Sequence, residues 1–192
     1  MNTIVDVLEL LSGGVLLYMK KWLLLLLLLM FVLVGCTEKL PEFEEYTGRT
    51  INIAVIGTAP DVRETNVRFE EFSMDDLLFM EFSEYDAVFI MKEHLEEASA
   101  AEYAEVYTSS KIPFFFIEST KGSFPFSDAE ALYSNSHEIS GGTDFAAGYM
   151  PSSDPQIEGT TFWFGLYNDI KNDETIKGTY SIIFNKIQEI VK

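Results

Sequence analysis

The chain has 192 residues, with 13 Lys and Arg against 31 Asp and Glu, and a formal net charge of −18 at pH 7. A protein this acidic repels phosphate backbones and anionic lipid headgroups, so we expect no nucleic-acid partner. Cys36 is the only cysteine, which excludes an intramolecular disulfide and leaves the fold to depend on its apolar core.

The N-terminal residues show, in order, the features that are typical of an export signal. Lys20 and Lys21 form a basic patch, and residues 22–34 form an unbroken apolar run that ends at Gly35 and Cys36. The run has about 13 residues, whereas a membrane-spanning helix needs roughly 20. Its length matches the apolar region of a signal peptide, so the pattern favours a signal peptide over a transmembrane helix.

The sequence Leu33, Val34, Gly35, Cys36 resembles the lipobox of bacterial lipoproteins. In that family a lipid is attached to the cysteine, and cleavage directly before it makes the cysteine the first mature residue. The resemblance covers residues 19–36 only. It implies that Cys36 is lipidated and that the mature chain is anchored at the outer face of the cell membrane.

The division of the chain follows from these signals. Residues 1–18 carry Asp6 and Glu9 ahead of the basic patch, which is unusual in a signal peptide, so we interpret them as a mis-called start and Met19 as the true one. Residues 19–35 are then the signal peptide. Residues 36–48, polar and acidic, are predicted to form a lipidated tether that reaches roughly 40 Å when extended. Residues 49–192 are predicted to form a single domain.

Apolar stretches bounded by turn residues predict the strands of that domain. The stretches with the clearest pattern are residues 51–56, 67–72, 85–91 and 114–117. The second of them alternates between apolar and polar residues, whereas the others are nearly continuous, as in buried parallel strands. Residues 144–150 and 160–167 are predicted to form two more strands, paired as a hairpin at the edge of the sheet.

Helices are predicted between and after these strands. Ser73, followed by acidic residues, is typical of an N-cap. Residues 93–109 place apolar side chains on one face, and residues 173–191 repeat apolar residues at steps of three and four. Alternating strands and helices favour an α/β fold with a mainly parallel sheet. Right-handed crossovers would make it a small three-layer, flavodoxin-like sandwich with a C-terminal helix.

Ligands of open α/β sheets usually bind at the carboxyl ends of the strands. At these predicted ends lie Asp61, Lys92, His94, Glu118 and Ser119. We predict Asp61, Lys92 and Glu118 as candidate ligand-binding residues, and His94 and Ser119 as a candidate base and nucleophile. The spacing does not establish contact between them, and a surface role for His94 or a turn hydrogen bond for Ser119 remains the alternative.

Motifs for cofactors and metals are missing from the sequence. There is no Gly-x-Gly-x-x-Gly, no Walker-type loop and no Gly-x-Ser-x-Gly, so no cofactor is expected. A receiver domain would need an aspartate at the end of the third strand, where Ile90, Met91 and Lys92 stand. His94 and His137 are the only histidines, and the Asn- and Asp-rich residues 168–174 do not match a calcium loop. We therefore expect no metal site.

Two aromatic groups are left without a clear role. Residues 124–126 read Phe-Pro-Phe and residues 162–164 read Phe-Trp-Phe. Aromatic side chains in such places serve either as a ligand platform or partner patch, or as ordinary core. The sequence leaves both alternatives open.

These observations favour a non-enzymatic role. We expect a lipid-anchored, extracytoplasmic binding or accessory lipoprotein, held to the membrane through its lipid and able to contact an envelope protein. The alternatives are a small surface hydrolase that uses the strand-end residues, and an envelope structural or stress protein. The folded part is similar in style to small lipoproteins of unknown role from low-GC Gram-positive bacteria, a resemblance that implies no active residues.

Overall fold

The computed structural model describes residues 20–25, 41–139, 143–154 and 157–191. The chain divides into two compact units, Met1–Glu42 and Phe43–Lys192. In the first unit residues 20–25 are helical, while the predicted lipobox with Cys36 and the predicted start at Met19 lie outside the described residues. Within the described ranges, no helix combines the length and the apolar character needed to cross a membrane.

The second unit is built around a six-stranded mixed sheet. Its strands are β1 (Ile51–Ile56), β2 (Val67–Phe72), β3 (Ala87–Ile90), β4 (Phe114–Ile117), β5 (Asp144–Met150) and β6 (Thr160–Gly165). Their order across the sheet is β2-β1-β3-β4-β5-β6. Neighbours from β2 to β4 are parallel, whereas β5 runs antiparallel to β4 and β6 antiparallel to β5. The predicted α/β class, the mainly parallel sheet and the antiparallel hairpin at its edge are confirmed.

Among the described residues of this unit, five α-helices flank the strands, besides short 3-10 turns. They are α1 (Met74–Leu77), α2 (Leu95–Ala98), α3 (Ala101–Ser109), α4 (Phe124–Ser127) and α5 (Asp173–Ile190). Ser73 caps α1 as predicted, because its hydroxyl accepts from the Asp76 amide while the Asp76 carboxylate accepts from the Ser73 amide. The predicted C-terminal helix is confirmed as α5.

The single helix predicted over residues 93–109 is wrong, because the chain breaks at Ser99. The Ser99 hydroxyl donates to the Glu96 carbonyl over 2.7 Å and accepts from the Tyr133 amide over 2.8 Å. Ala100 then adopts an extended conformation before α3 begins. A serine hydroxyl that offers the backbone other partners in this way interrupts a helix.

Each face of the sheet contributes to its own apolar cluster, because successive strand residues point to opposite sides. One cluster joins Phe89 of β3 to Tyr180 and Phe184 of α5. The other joins strand residues to α1, α2, α3 and α4, with the rings of Phe116 and Phe126 stacked 3.7 Å apart. Burial of these large aromatic rings supplies much of the folding energy in the absence of a disulfide.

The folded unit begins at Phe43, ahead of the predicted boundary at residue 49. Tyr46 is only 1% exposed, and its hydroxyl lies 2.7 Å from the Arg49 carbonyl and 2.8 Å from Gln188 Oε1 on α5. Phe43 packs against Gly178 of the same helix. Residues 43–48, which we call the N-terminal strap, are therefore docked on α5, while residues 36–40 of the predicted tether lie outside the described residues.

Candidate functional site

The carboxyl ends of β1 and β3 lie side by side at one edge of the sheet. Gly57 follows β1 with a φ of 112°, a conformation that favours glycine. A Cβ at Gly57 would lie 2.8 Å from Glu93 Oε1 and 3.1 Å from His94 Cδ2, both of which follow β3. The positive φ and the close approach together disfavour a side chain at Gly57, and the ends of the two strands lie on a common rim, as the parallel pairing predicts.

An ion cluster occupies the rim beside β4. Its centre is the Glu118 carboxylate, whose Oε2 accepts from Lys92 Nζ over 3.0 Å and from Lys171 Nζ over 2.5 Å. Glu118 itself has a φ of 58°, and its amide donates to the Phe145 carbonyl over 2.5 Å. A non-glycine residue in this left-handed region is held against a conformational cost. We call Lys92, Glu118 and Lys171 the rim ion cluster.

The electrostatics keep the centre of this cluster ionised. Burial alone would raise the pKa of the Glu118 carboxyl, but hydrogen bonds and charge attraction from Lys171 and Lys92 outweigh burial and set that pKa below its ordinary value. The lysine side chains are 64% and 54% exposed. Because more than half of each lysine side chain is exposed, both ammonium groups remain accessible to a ligand.

A cavity of about 450 Å³ opens at the rim ion cluster. Besides the cluster it is lined by Thr120, Tyr133, Thr143, Asp144, Phe145, Leu166 and Asp169. The volume falls within the range of small-molecule sites, roughly 300–1,000 Å³. Its wall offers charges of both signs, hydroxyl groups and an apolar side, which together suit a small polar ligand.

The two candidate catalytic residues each have another partner in the structure. Ser119 is fully buried, and its hydroxyl donates to the Gly122 carbonyl over 2.9 Å within the turn that follows β4. His94 Nδ1 lies 3.7 Å from Glu97 Oε2. Among the described residues no hydrogen bond joins His94 to Ser119. The contact that a nucleophile and its base require is therefore not made.

Of the three candidate ligand-binding residues, two meet and one does not. Lys92 and Glu118 form the rim ion cluster, whereas Asp61 is 85% exposed in its side chain and pairs with Lys177 of α5 over 2.6 Å. Lys171 was not predicted. It follows β6 in the turn-rich residues 168–174, and no local pattern indicates that this turn folds back onto the end of β4.

Groups that hold metals are not found in the part of the chain that the structure describes. No three His, Cys, Asp or Glu side chains there lie close enough together to hold a metal ion. The chain matches no family model, no curated protein and no solved structure.

Proposed function

We propose that this chain is a lipoprotein of the outer face of the cell membrane, anchored through lipid on Cys36, whose folded unit binds a small ligand or serves an envelope protein as an accessory subunit. The anchor is supported by the order of the basic patch, the apolar run and the lipobox in residues 19–36. The binding role is supported by the cavity at the rim ion cluster.

One observation carries the binding role: two exposed lysines converge on the same oxygen of Glu118 at the mouth of a cavity. Two ammonium groups this close attract a negatively charged group, because lysine acts as a mobile point charge with three donors. Asp144 and Asp169 line the same cavity. The ligand class that suits both signs is a small zwitterion, with its negative group at Lys92 and Lys171 and its positive group toward the carboxylates.

The geometry of Ser119 favours binding over the alternative of a surface hydrolase. A nucleophile has to present its oxygen to the substrate and to a base, whereas the Ser119 hydroxyl is buried and donates to a backbone carbonyl. This hydrogen bond instead suits a role in holding the turn that carries Glu118.

For the finer architecture we propose a flavodoxin-like arrangement. The order β2-β1-β3-β4-β5 is the flavodoxin-like strand order, and both faces of the sheet carry helical residues in their apolar clusters. In this chain β5 is antiparallel to β4, which departs from the wholly parallel pattern. An experimental structure that left one face of the sheet open would refute the proposal.

The anchor is tested in bacterial cells that express the full chain. We expect metabolic labelling with an alkyne fatty acid to mark the protein and mass spectrometry to find lipidated Cys36 at the mature N-terminus. C36A removes the label and leaves the precursor uncut. Labelling of C36A, or an unmodified Cys36 in the mature protein, would contradict the proposed anchor.

The ligand class is tested by thermal unfolding of the purified full chain with acetate, inorganic phosphate and glycine as probes. We expect at least one probe to raise the melting temperature in a saturable manner, and K92M/K171M to abolish the rise. The matched control is K111M/K186M, which removes the same charge from two lysines of the folded unit that do not line this cavity, and it should leave the rise intact. The absence of any rise, or an equal rise in K92M/K171M, would refute the rim site.

Cross-linking in intact cells tests the accessory role, because one abundant membrane partner supports it.

A further inference from the structure

The two aromatic groups that the sequence left unassigned meet in a second cavity, away from the rim ion cluster. Phe124 of α4 and Trp163 of β6 both line a groove of about 480 Å³. The two residues are 56% and 51% exposed, respectively. Large apolar side chains that stay exposed while lining one groove mark a candidate binding surface.

Trp163 lies on the opposite face of β6 from Phe162 and Phe164, which pack in the cluster that contains α5. It is paired across the hairpin with Ala147, a small residue that leaves space beside the indole. On its other side Gly122 comes close, since a Cβ there would lie 3.4 Å from Trp163 Nε1. Gly122 also has a φ of 66°, and a Cβ there would lie only 2.7 Å from Ile139 Cδ1, so both backbone and space favour glycine. The ring is thus placed by its neighbours while about half of it stays open to solvent.

The Phe-Pro-Phe sequence places its two rings in opposite environments. Phe126 is 1% exposed and stacks on Phe116 of β4 in the core. Phe124, at the first position of α4, lines the groove. The buried ring fixes α4 to the sheet, so Phe124 is presented by an anchored helix and the groove is preformed on this side.

The charged residues of the groove are all acidic. Asp128 and Glu158 line it, and no lysine or arginine does. Neither carboxylate forms an ion pair with any residue in the described part of the chain. Aromatic faces attract cations through their quadrupole, and Trp is the strongest of them. The Asp128 carboxylate accepts a hydrogen bond from the Glu130 amide over 2.9 Å but keeps its charge without a basic partner. Aromatic rings flanked by such carboxylates therefore complement a positive charge on an apolar stem, as in a lysine or arginine side chain.

The edge of the sheet adds a feature that suits an extended partner. β6 is the last strand of the sheet, and its outer side pairs with no other strand among the described residues. Its sequence Thr-Thr-Phe-Trp-Phe-Gly carries no charge that would repel an added strand. A segment pairing with this edge would direct every second side chain toward the face that holds Trp163.

We propose that this groove, formed by Phe124, Trp163, Asp128 and Glu158, docks a basic extended segment of a partner protein, with a lysine or arginine side chain between the aromatic rings and the carboxylates. The proposal is independent of the rim ion cluster, and it gives the accessory role a partner of stated chemistry.

The test uses the full chain in detergent solution with the variant W22F, which leaves Trp163 as the only tryptophan. The probe is a peptide of about eight residues that alternates threonine and lysine, titrated while Trp163 fluorescence is recorded. We expect saturable binding that weakens as salt is added, because charge attraction is screened. D128N/E158Q and, separately, F124A should weaken binding about three- to tenfold.

The matched control is E102Q/E174Q, which removes the same two negative charges at exposed sites outside the groove. It should retain the affinity of the parent, so that a groove effect is distinguished from the general attraction of a protein of charge −18. Equal weakening by both double variants overturns the proposal. Equal binding of a threonine–glutamate peptide, or saturable binding of cello-oligosaccharide instead of the lysine peptide, also overturns it.

Discussion

Replacement of Gly178 by alanine tests whether the N-terminal strap belongs to the folded unit. Gly178 lies within α5 against Phe43, and an added Cβ would lie 2.4 Å from Phe43 Cγ and 2.5 Å from Cδ1. Ordinary contact needs 3.4–4 Å, so the ring would have to move by about 1 Å. Phe43 is half-buried, and its displacement pulls on the segment that leads to the buried Tyr46.

Two opposing effects set the expected free energy of unfolding. Alanine in place of glycine stabilises a helix interior by about 0.5–1 kcal/mol. Overpacking against the Phe43 ring costs about 1–3 kcal/mol. G178A should therefore destabilise the parent chain by about 1 kcal/mol. In an F43A background the ring is absent, and the same substitution should stabilise by about 0.5–1 kcal/mol. The coupling between the two sites is the difference, about 1.5–2 kcal/mol.

Urea unfolding of the parent, G178A, F43A and the double variant measures this coupling. The control is G165A in the same two backgrounds, because a Cβ at Gly165 would meet no atom within 4 Å. Its effect should be equal in both backgrounds. If G178A also has equal effects in both, within about 0.5 kcal/mol, Phe43 does not pack on α5 and the docked strap is refuted.

Three further predictions concern stability. The lowered pKa of Glu118 means that the stability from its ion pairs is present above the ordinary carboxyl pKa of about 4.3 and is lost as pH falls through the lower folded value. The destabilisation by K92M/K171M in urea unfolding should therefore shrink on going from about pH 6 to about pH 3. Burial raises the pKa of the Tyr107 phenol. The stability that this neutral, buried phenol contributes is therefore complete below its ordinary pKa of about 10, and it declines as the pH rises from there toward the pKa of the folded state. Y107F should lose less stability than the parent between about pH 9 and about pH 11. Asn172 caps α5, so N172A should lower the free energy of unfolding by about 1 kcal/mol, and an unchanged urea midpoint would contradict the cap.

Much of the sheet follows from local sequence. Residues 51–56 and 114–117 are apolar at nearly every position, and β1 and β4 begin and end at those residues. The reason is physical, since a strand buried on both faces needs apolar residues throughout and is limited by its turn residues. The predicted third strand was longer than β3, which spans only Ala87–Ile90.

The features that sequence analysis missed depend on partners far along the chain. Ser99 breaks the predicted helix partly because the Tyr133 amide reaches its hydroxyl. Phe43 and Tyr46 are buried or half-buried because α5, at the other end of the chain, receives them. The rim ion cluster needs Lys171, which lies 53 residues after Glu118. Periodicity reports which face of an element is buried, but it does not report which distant loop returns to cover it.

The distribution of cations connects the acidic composition with the proposed partner. Among the described residues, Arg49, Lys92, Lys171, Lys177 and Lys186 each pair with a carboxylate of the same chain. These cations are few against the acids, so most carboxylates have no basic side chain to neutralise them. Where such acids stand alone on a helix, water solvates them at little cost. Where they flank exposed aromatic rings, a basic partner gains both charge attraction and apolar contact, and electrostatic steering raises its rate of association. We therefore expect the acidic excess to raise the association rate of a basic partner at the groove, and this rate to fall as ionic strength rises. Loss of the aromatic ring in F124A should instead mainly raise the dissociation rate.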